Sequence, residues 1–171
     1  MESCPRPSRA VAPGASALGW PQASAPVAAR TGSIAGMDTP TAVRRWADTW
    51  RENWITRSAE PIAALYASSG RYATAPFREP RIGPPGAIAY LEPVFAEEAD
   101  IRCWFGEPIA DGDRAAVQWW ANFVENGEEV TYAGTSNLRF DSDGLTVDQW
   151  DSWNRAEGRL EPPDGWGKAR P

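Results

Sequence analysis

The chain predicts an α+β domain in which helices come first and antiparallel strands follow. Two observations carry that prediction. Between residues 43 and 54 apolar side chains recur at helical spacing. From residue 100 onward, Asp-Gly and Asn-Gly pairs cut the chain into segments of strand length, at 111–113, 126–127 and 141–144. No internal repeat is present.

The first helix opens at Asp38-Thr39-Pro40, an N-cap residue with proline at the first helical position. Val43, Trp46, Ala47, Trp50 and Trp54 form its apolar stripe, and Arg44, Arg45, Asp48, Arg51 and Glu52 lie elsewhere. A second helix starts near Ala59-Glu60-Pro61, turns Ile62, Leu65 and Tyr66 inward, and is expected to stop at Gly70. A strand covers 71–75 and closes at Pro76. After a loop rich in proline, a third helix covers 86–97, and Pro93 is expected to shorten or kink it. Strands then follow at 100–108, 114–125, 129–140 and 145–154, a four-strand meander. A strongly curved sheet wrapped around the helices fits this pattern.

Residues 1–36 differ in kind. They hold 9 Ala, 5 Pro, 5 Ser and 4 Gly, and their prolines break any helical or strand period. Such a segment buries too little apolar surface to offset its ordering entropy, so it is read as a disordered tail. It lacks the apolar stretch of a signal peptide. Met37, directly before the helix-start signal, is an alternative start of the chain. The domain is expected over 37–167, with 168–171 as a short tail.

Composition narrows the chemistry. The chain of 171 residues has 17 basic and 23 acidic side chains, a net charge of −6. That argues against nucleic acid and against an anionic membrane surface as partners. No apolar run is long enough for a membrane span, and a cytoplasmic location is expected. With His 0, histidine triads, histidine acid–base work and histidine metal sites are excluded. Lys168 is the only lysine, so a buried Schiff-base lysine is not expected. Two cysteines, Cys4 and Cys103, make neither a disulfide framework nor a zinc site. No glycine-rich phosphate cradle is present. The expectation is a cofactor-independent protein without metal, working with carboxylates, tyrosines, arginines and pocket shape. Its 10 tryptophans build either an indole core or an aromatic-lined cavity.

Strand alternation selects the candidates. With Leu138 and Phe140 as inward anchors, Tyr132, Gly134 and Ser136 point inward too. With Val147 inward, so are Gln149, Asp151 and Trp153. Val117, Trp119, Ala121 and Phe123 form another inner set, Ile101, Cys103 and Phe105 a third, and Tyr72 and Thr74 share a face. Asp151 is thereby one carboxylate on an otherwise apolar face. Either it is neutralised by Arg71, Arg78 or Arg81, or reaches solvent at a strand end, or it is a pocket acid or base with a raised pKa. Cys103 reads as a small hydrophobe, and Arg78 and Glu79 as a surface ion pair. Trp104, Trp120 and Trp150 share the outer parity, which suggests a covered outer face and a homodimer through the sheet.

Four pieces of the sequence together resemble a known family: Leu65-Tyr66-Ala67; Pro76-Phe77-Arg78-Glu79-Pro80; Leu138-Arg139-Phe140-Asp141 with Asp143-Gly144, running into Gln149-Trp150-Asp151-Ser152-Trp153-Asn154; and Pro162-Pro163-Asp164-Gly165-Trp166-Gly167. Over about residues 40–167 the chain resembles the SnoaL-like branch of the nuclear-transport-factor-2-like (NTF2-like) superfamily. The resemblance implies an NTF2-like cone of three N-terminal helices packed in a strongly curved, mostly antiparallel sheet, with a deep hydrophobic pocket. The superfamily includes polyketide cyclases, ketosteroid isomerases, epoxide hydrolases, dehydratases and binding proteins without catalysis, so fold alone does not set function. The isomerases' two key acids would fall at Thr74 and Ser136, neither of which is an acid. The epoxide hydrolases' last-strand aspartate falls on Asp151, but their partner Arg and second Asp are not found in Val117-Gln118-Trp119-Trp120-Ala121-Asn122. The expectation is a pocket for a small apolar molecule with Asp151 as its polar centre and one-base chemistry. Tyr72, Tyr132 and Gln149 would orient the substrate, Thr74 and Ser136 would contact it, and Trp119 and Trp153 would form walls. The alternative is a ligand-binding or dimeric accessory module without catalysis.

Overall fold

The computed structural model describes residues 36–168; the tail readings for 1–35 and 169–171 lie outside the described residues. Helix α1 runs Thr39–Thr56. The Asp38 carboxylate accepts from the Thr41 N–H at 2.8 Å, so the cap read from sequence is made. Ala42, Val43, Trp46, Ala47 and Trp50 are buried, which is the predicted stripe. Helix α2 is a single turn and a half, Ala59–Ala63. Strand β1, Tyr66–Ala73, starts earlier than alternation suggested. Tyr66 therefore belongs to the sheet and not to the helix. Gly70 is no helix stop: a Cβ there would stand 2.5 Å from the Thr146 carbonyl oxygen, so glycine is needed where two backbones meet.

A two-residue strand β2, Arg81–Ile82, pairs antiparallel with β1 and was not foreseen. Helix α3 is Gly83–Glu97 and takes the Pro84-Pro85 pair into its first turn, where missing N–H groups cost nothing. It therefore begins three residues earlier than expected. Pro93 is exposed and the helix runs past it to Glu97, so it does not shorten the helix. The remaining strands are β3 (Glu98–Phe105), β4 (Ile109–Asp111), β5 (Arg114–Glu125), β6 (Glu128–Phe140) and β7 (Thr146–Glu157). The expected 100–108 strand is β3, which runs from 98 and stops at 105; β4 at 109–111 is an additional short strand, and both pair with β5.

The sheet order is β2-β1-β7-β6-β5-β3, with β4 also on β5. Only the β1–β7 pair is parallel. A mixed, mostly antiparallel sheet with three helices is the α+β class that the sequence predicted. The β5–β6 hairpin turns at Asn126-Gly127, both with positive φ, as a tight hairpin of this type requires. A bulge between Arg139 and Phe140 places Phe140 opposite Thr146 and Arg139 opposite Asp148. Val147 falls in that irregularity and is only half-buried, so it is a weaker anchor than its parity suggested. From Leu138–Gln149 onward the register is regular, and Ser136 pairs with Asp151 and Gly134 with Trp153.

The core packs the α1 stripe, Ile62, Ala87, Leu91 and Phe95 against Leu65, Tyr72, Val117, Leu138 and Phe140. On the other side of the sheet, Trp120 is covered from within the chain. Its Nε1 donates to the Leu160 carbonyl at 2.6 Å, and its ring meets Trp166 edge-on at 6.1 Å. Trp150 remains 41% exposed under Arg71, whose guanidinium lies 5.7 Å from the ring centre. Part of the outer indole surface is therefore accounted for by the C-terminal segment. Among the described residues no helix is long and apolar enough to cross a membrane.

Candidate functional site

One cavity of about 190 Å³ opens between α1, α3 and the inward-facing strand side chains. Asp151, Tyr72, Thr74, Trp119, Tyr132, Ser136, Gln149 and Trp153, the residues singled out by alternation, all line it. Gly134 makes the wall possible. A Cβ at that position would lie 2.7 Å from Trp153 Cβ and 2.8 Å from the Trp119 ring, so only glycine lets the two indoles share this stretch of sheet.

Asp151 is 7% exposed. No arginine or lysine forms an ion pair with it among the described residues. Arg71 and Arg81 are spent on the rings of Trp150 and Tyr90, and Arg78 is exposed. Two donors hold the carboxylate instead. The Ser136 hydroxyl donates to Oδ1 at 2.6 Å, and Gln149 Nε2 donates to Oδ1 and Oδ2 at 3.0 and 3.1 Å. Each donor is itself fixed. Trp119 Nε1 donates to Ser136 Oγ at 3.2 Å. Trp46 Nε1 and the Tyr66 hydroxyl donate to Gln149 Oε1 at 3.2 and 2.6 Å. The Gln149 amide is thereby oriented with its NH₂ toward the acid, because its oxygen is already claimed twice.

Burial disfavours the charged carboxylate and raises the Asp151 pKa to about 6; the Ser136 and Gln149 hydrogen bonds oppose that shift without cancelling it. Tyr66 and Tyr72 are held neutral, their pKa values pushed well up by burial and then by the Asp151 charge. Tyr66 stacks on Tyr72 at 5.5 Å, and Tyr90 meets Tyr72 edge-on at 5.7 Å. The Trp153 indole N–H donates to the Thr74 carbonyl at 2.7 Å and ties β7 to the end of β1.

Alternation did not reveal the whole site. Trp46, Trp50 and Trp54 were read as core stripe, and they also face the cavity. Tyr66 was placed on a helix, yet it supplies the short bond to Gln149. Tyr90 of α3 was missed. So was Glu98, a second buried acid, 4% exposed, at the junction of α3 and β3. Trp54 Nε1 donates to Glu98 Oε2 at 2.8 Å, and Arg57 donates to the Glu98 carbonyl. Burial, and then the Glu125 charge opposite it in the ladder, push the Glu98 pKa up to about 7 against the Trp54 bond. Glu125 lies nearer the rim, accepts from the Tyr132 hydroxyl and pairs with Arg155 at 3.6 Å. Cys103 is buried with its thiol pKa raised to about 12, in keeping with a small hydrophobe. Arg78 and Glu79 are both exposed and make no ion pair with each other, contrary to expectation. Among the described residues no group of three His, Cys, Asp or Glu side chains could hold a metal ion.

A helix-lined cavity over a mixed sheet, with its polar groups on the inner strand faces, is an NTF2-like architecture. The SnoaL-like domain model matches residues 43–149, more than half of the chain, and the chain belongs to that family. The match ends two residues before Asp151. Solved structures agree on the fold. An NTF2-like protein of unknown function from Exiguobacterium sp. 255-15 superposes with a TM-score of 0.57 at 17% identity, over 67% of this chain and 98% of its own. The epoxide hydrolase/cyclase-like enzyme SalBIII, of pyran ring formation in the polyether salinomycin, gives 0.61 at 15% identity over 70% and 98%. An LEH-like epoxide hydrolase of M. tuberculosis gives 0.55 at 12% identity over 66% and 82%. No curated protein matches the chain by sequence.

Proposed function

We propose that this chain is a SnoaL-like pocket enzyme that carries out one-base acid–base chemistry on a small, largely apolar substrate, with Asp151 as the proton-transfer group. The observation that carries the reading is the state of Asp151. It is buried on the wall of an aromatic cavity, without a cationic partner, and held in one orientation by Ser136 and Gln149. A carboxylate kept only for stability would gain from an arginine there. One with its pKa at about 6 can both accept and return a proton near neutral pH. Tyr72, on the strand beside β7, and Tyr90 of α3 are neutral donors that would bind a substrate oxygen. The tryptophans would exclude water. SalBIII and the epoxide hydrolase make epoxide opening or ring closure the first chemistry to try, and the lack of an Arg and a second Asp in the middle of β5, at 117–122, makes a one-acid version of it the form to expect.

The test is turnover of a panel of small epoxides and enolisable ketones by wild type and Asp151→Asn. The variant should lose about 10²–10⁴-fold in kcat, and the wild-type rate should change through an apparent pKa near 6. Retained activity in the variant would remove Asp151 from the chemistry. Binding of panel members with no turnover by either protein would favour the accessory-module reading. Self-association through the part of the outer sheet face around Trp150 belongs to the same proposal, and sedimentation at rising concentration tests it.

A further inference from the structure

The charged residues that line the cavity are Glu98, Glu125 and Asp151; no arginine or lysine lines it. Glu125 is answered at the rim by Arg155 and Tyr132. Neither of the other two acids forms an ion pair among the described residues, and only Glu98 feels a nearby cation, Arg57. Glu98 is more than nine-tenths buried, and only its Oε2 has a donor, Trp54 Nε1. Its Oε1 meets no donor among the described residues, and Arg57 donates to the Glu98 backbone carbonyl, so its charge reaches the carboxylate without pairing with it. Around Glu98 the rings are continuous. Trp54 contacts Trp119 at 5.6 Å and Phe123 at 6.3 Å, Phe123 stacks on Tyr132 at 5.1 Å, and Tyr132 meets Trp153 at 4.9 Å. Ring faces are electron-rich and attract a cation, most of all where water is excluded. A neutral apolar ligand would leave a carboxylate on the cavity wall with one oxygen unmet once water is displaced, which is costly. An alkylated ammonium group answers both features at once.

We propose that the ligand of this cavity is an organic cation: an amine or quaternary ammonium with an apolar body. Its charged head sits between the Glu98 carboxylate and the rings of Trp54, Phe123 and Tyr132, and its body extends toward Asp151. This rests on the cavity being the functional site and narrows the substrate class given above. Trp54 has two tasks in it, orienting Glu98 through Nε1 and presenting its ring. The Asp151 end stays free for the reacting atoms.

The experiment titrates the full chain with two probes of one shape, phenyltrimethylammonium and uncharged tert-butylbenzene, by calorimetry and by proton NMR at about pH 8, where both acids are mostly ionised. The cation should bind about tenfold tighter or more, with its methyl protons shifted upfield by the rings, and added salt should narrow the preference. Glu98→Gln keeps an acceptor for Trp54 and should fold. It should cost the cation about tenfold and leave tert-butylbenzene unchanged. Equal binding of the two probes, or an unchanged preference in Glu98→Gln, overturns the cation assignment while the pocket reading stands. Failure of both probes to bind removes the pocket reading and this assignment with it.

Discussion

The cavity has two acidic ends that solve the same problem differently. Asp151 sits mid-strand on β7, gripped by two donors that are themselves gripped, so its carboxylate, Gln149, Ser136 and three ring N–H or O–H groups form one network. Glu98 sits where a helix ends and a strand begins, with one indole donor and a like charge across the ladder. Both are buried, and burial raises both pKa values. Asp151 rises from 3.8 to about 6 and Glu98 from 4.5 to about 7, shifts of similar size. What separates them is how each charge is met: by two hydrogen-bond donors at Asp151, and by one donor and two nearby charges of opposite sign at Glu98. A rigid, well-bonded acid suits proton transfer at a fixed point. A loosely answered one suits a ligand that brings its own charge.

Breaking the network at its hub should have the largest effect. Gln149→Leu removes the donor to Asp151 and leaves Trp46 Nε1 and the Tyr66 hydroxyl without an acceptor in a buried place. Each unmet group costs about 1–3 kcal/mol. We expect a loss on the order of 3–5 kcal/mol by urea unfolding at neutral pH, and a further rise of the Asp151 pKa. A loss under about 1 kcal/mol would mean that the network is not coupled as its geometry suggests.

Asp151→Asn should act in the opposite direction. The folded pKa of about 6 lies above the ordinary value of 3.8, so between those values the folded state holds more protons than the unfolded one. Stability from this group is fully present below about pH 4, falls as pH rises toward 6, and stays reduced above it. A shift of about two units corresponds to roughly 2–3 kcal/mol. The asparagine variant escapes that loss. It should melt several degrees above wild type at about pH 8 and close to it at about pH 4. A variant that melts lower at both pH values would make Asp151 a structural acid.

The contrast between the two acids also explains what could be read from the sequence. Asp151, Gln149, Ser136 and Trp119 lie on long strands with clear anchors such as Leu138 and Val117, so period-two alternation places them on the inner face. Asp38-Thr39-Pro40 and the Asn126-Gly127 hairpin carry their backbone chemistry in their residue types, and both formed as read. Glu98 belongs to no period: it fell between a helix read to end at 97 and a strand read to begin at 100, and only the packing of α1 on β3 brings Trp54 to it. Tyr66 was misread because Ala-rich 59–67 has helical composition, while pairing with β7 pulls its last two residues into the sheet. The indoles of α1 were legible as an apolar stripe. That the same stripe also walls a cavity depends on how far the strands stand from it.

Glu98→Gln gives the smaller, later counterpart of the Asp151 effect and sharpens the comparison most. Glu98 moves from 4.5 to about 7, so its loss of stability spans that window and is still growing at pH values where Asp151 has finished titrating. Trp54 keeps an acceptor in the glutamine side chain, so no donor is orphaned. The rim position of Glu125 and Arg155 admits some water, and the gain at about pH 8 should be on the order of 1–2 kcal/mol, with none near pH 4. Melting curves of wild type, both single variants and the double variant against pH would show two separable midpoints, the Glu98 one higher. If the wild-type pH dependence disappears entirely in Asp151→Asn, Glu98 is not ionising against burial, and the two ends of the cavity do not differ in the way their hydrogen bonds imply.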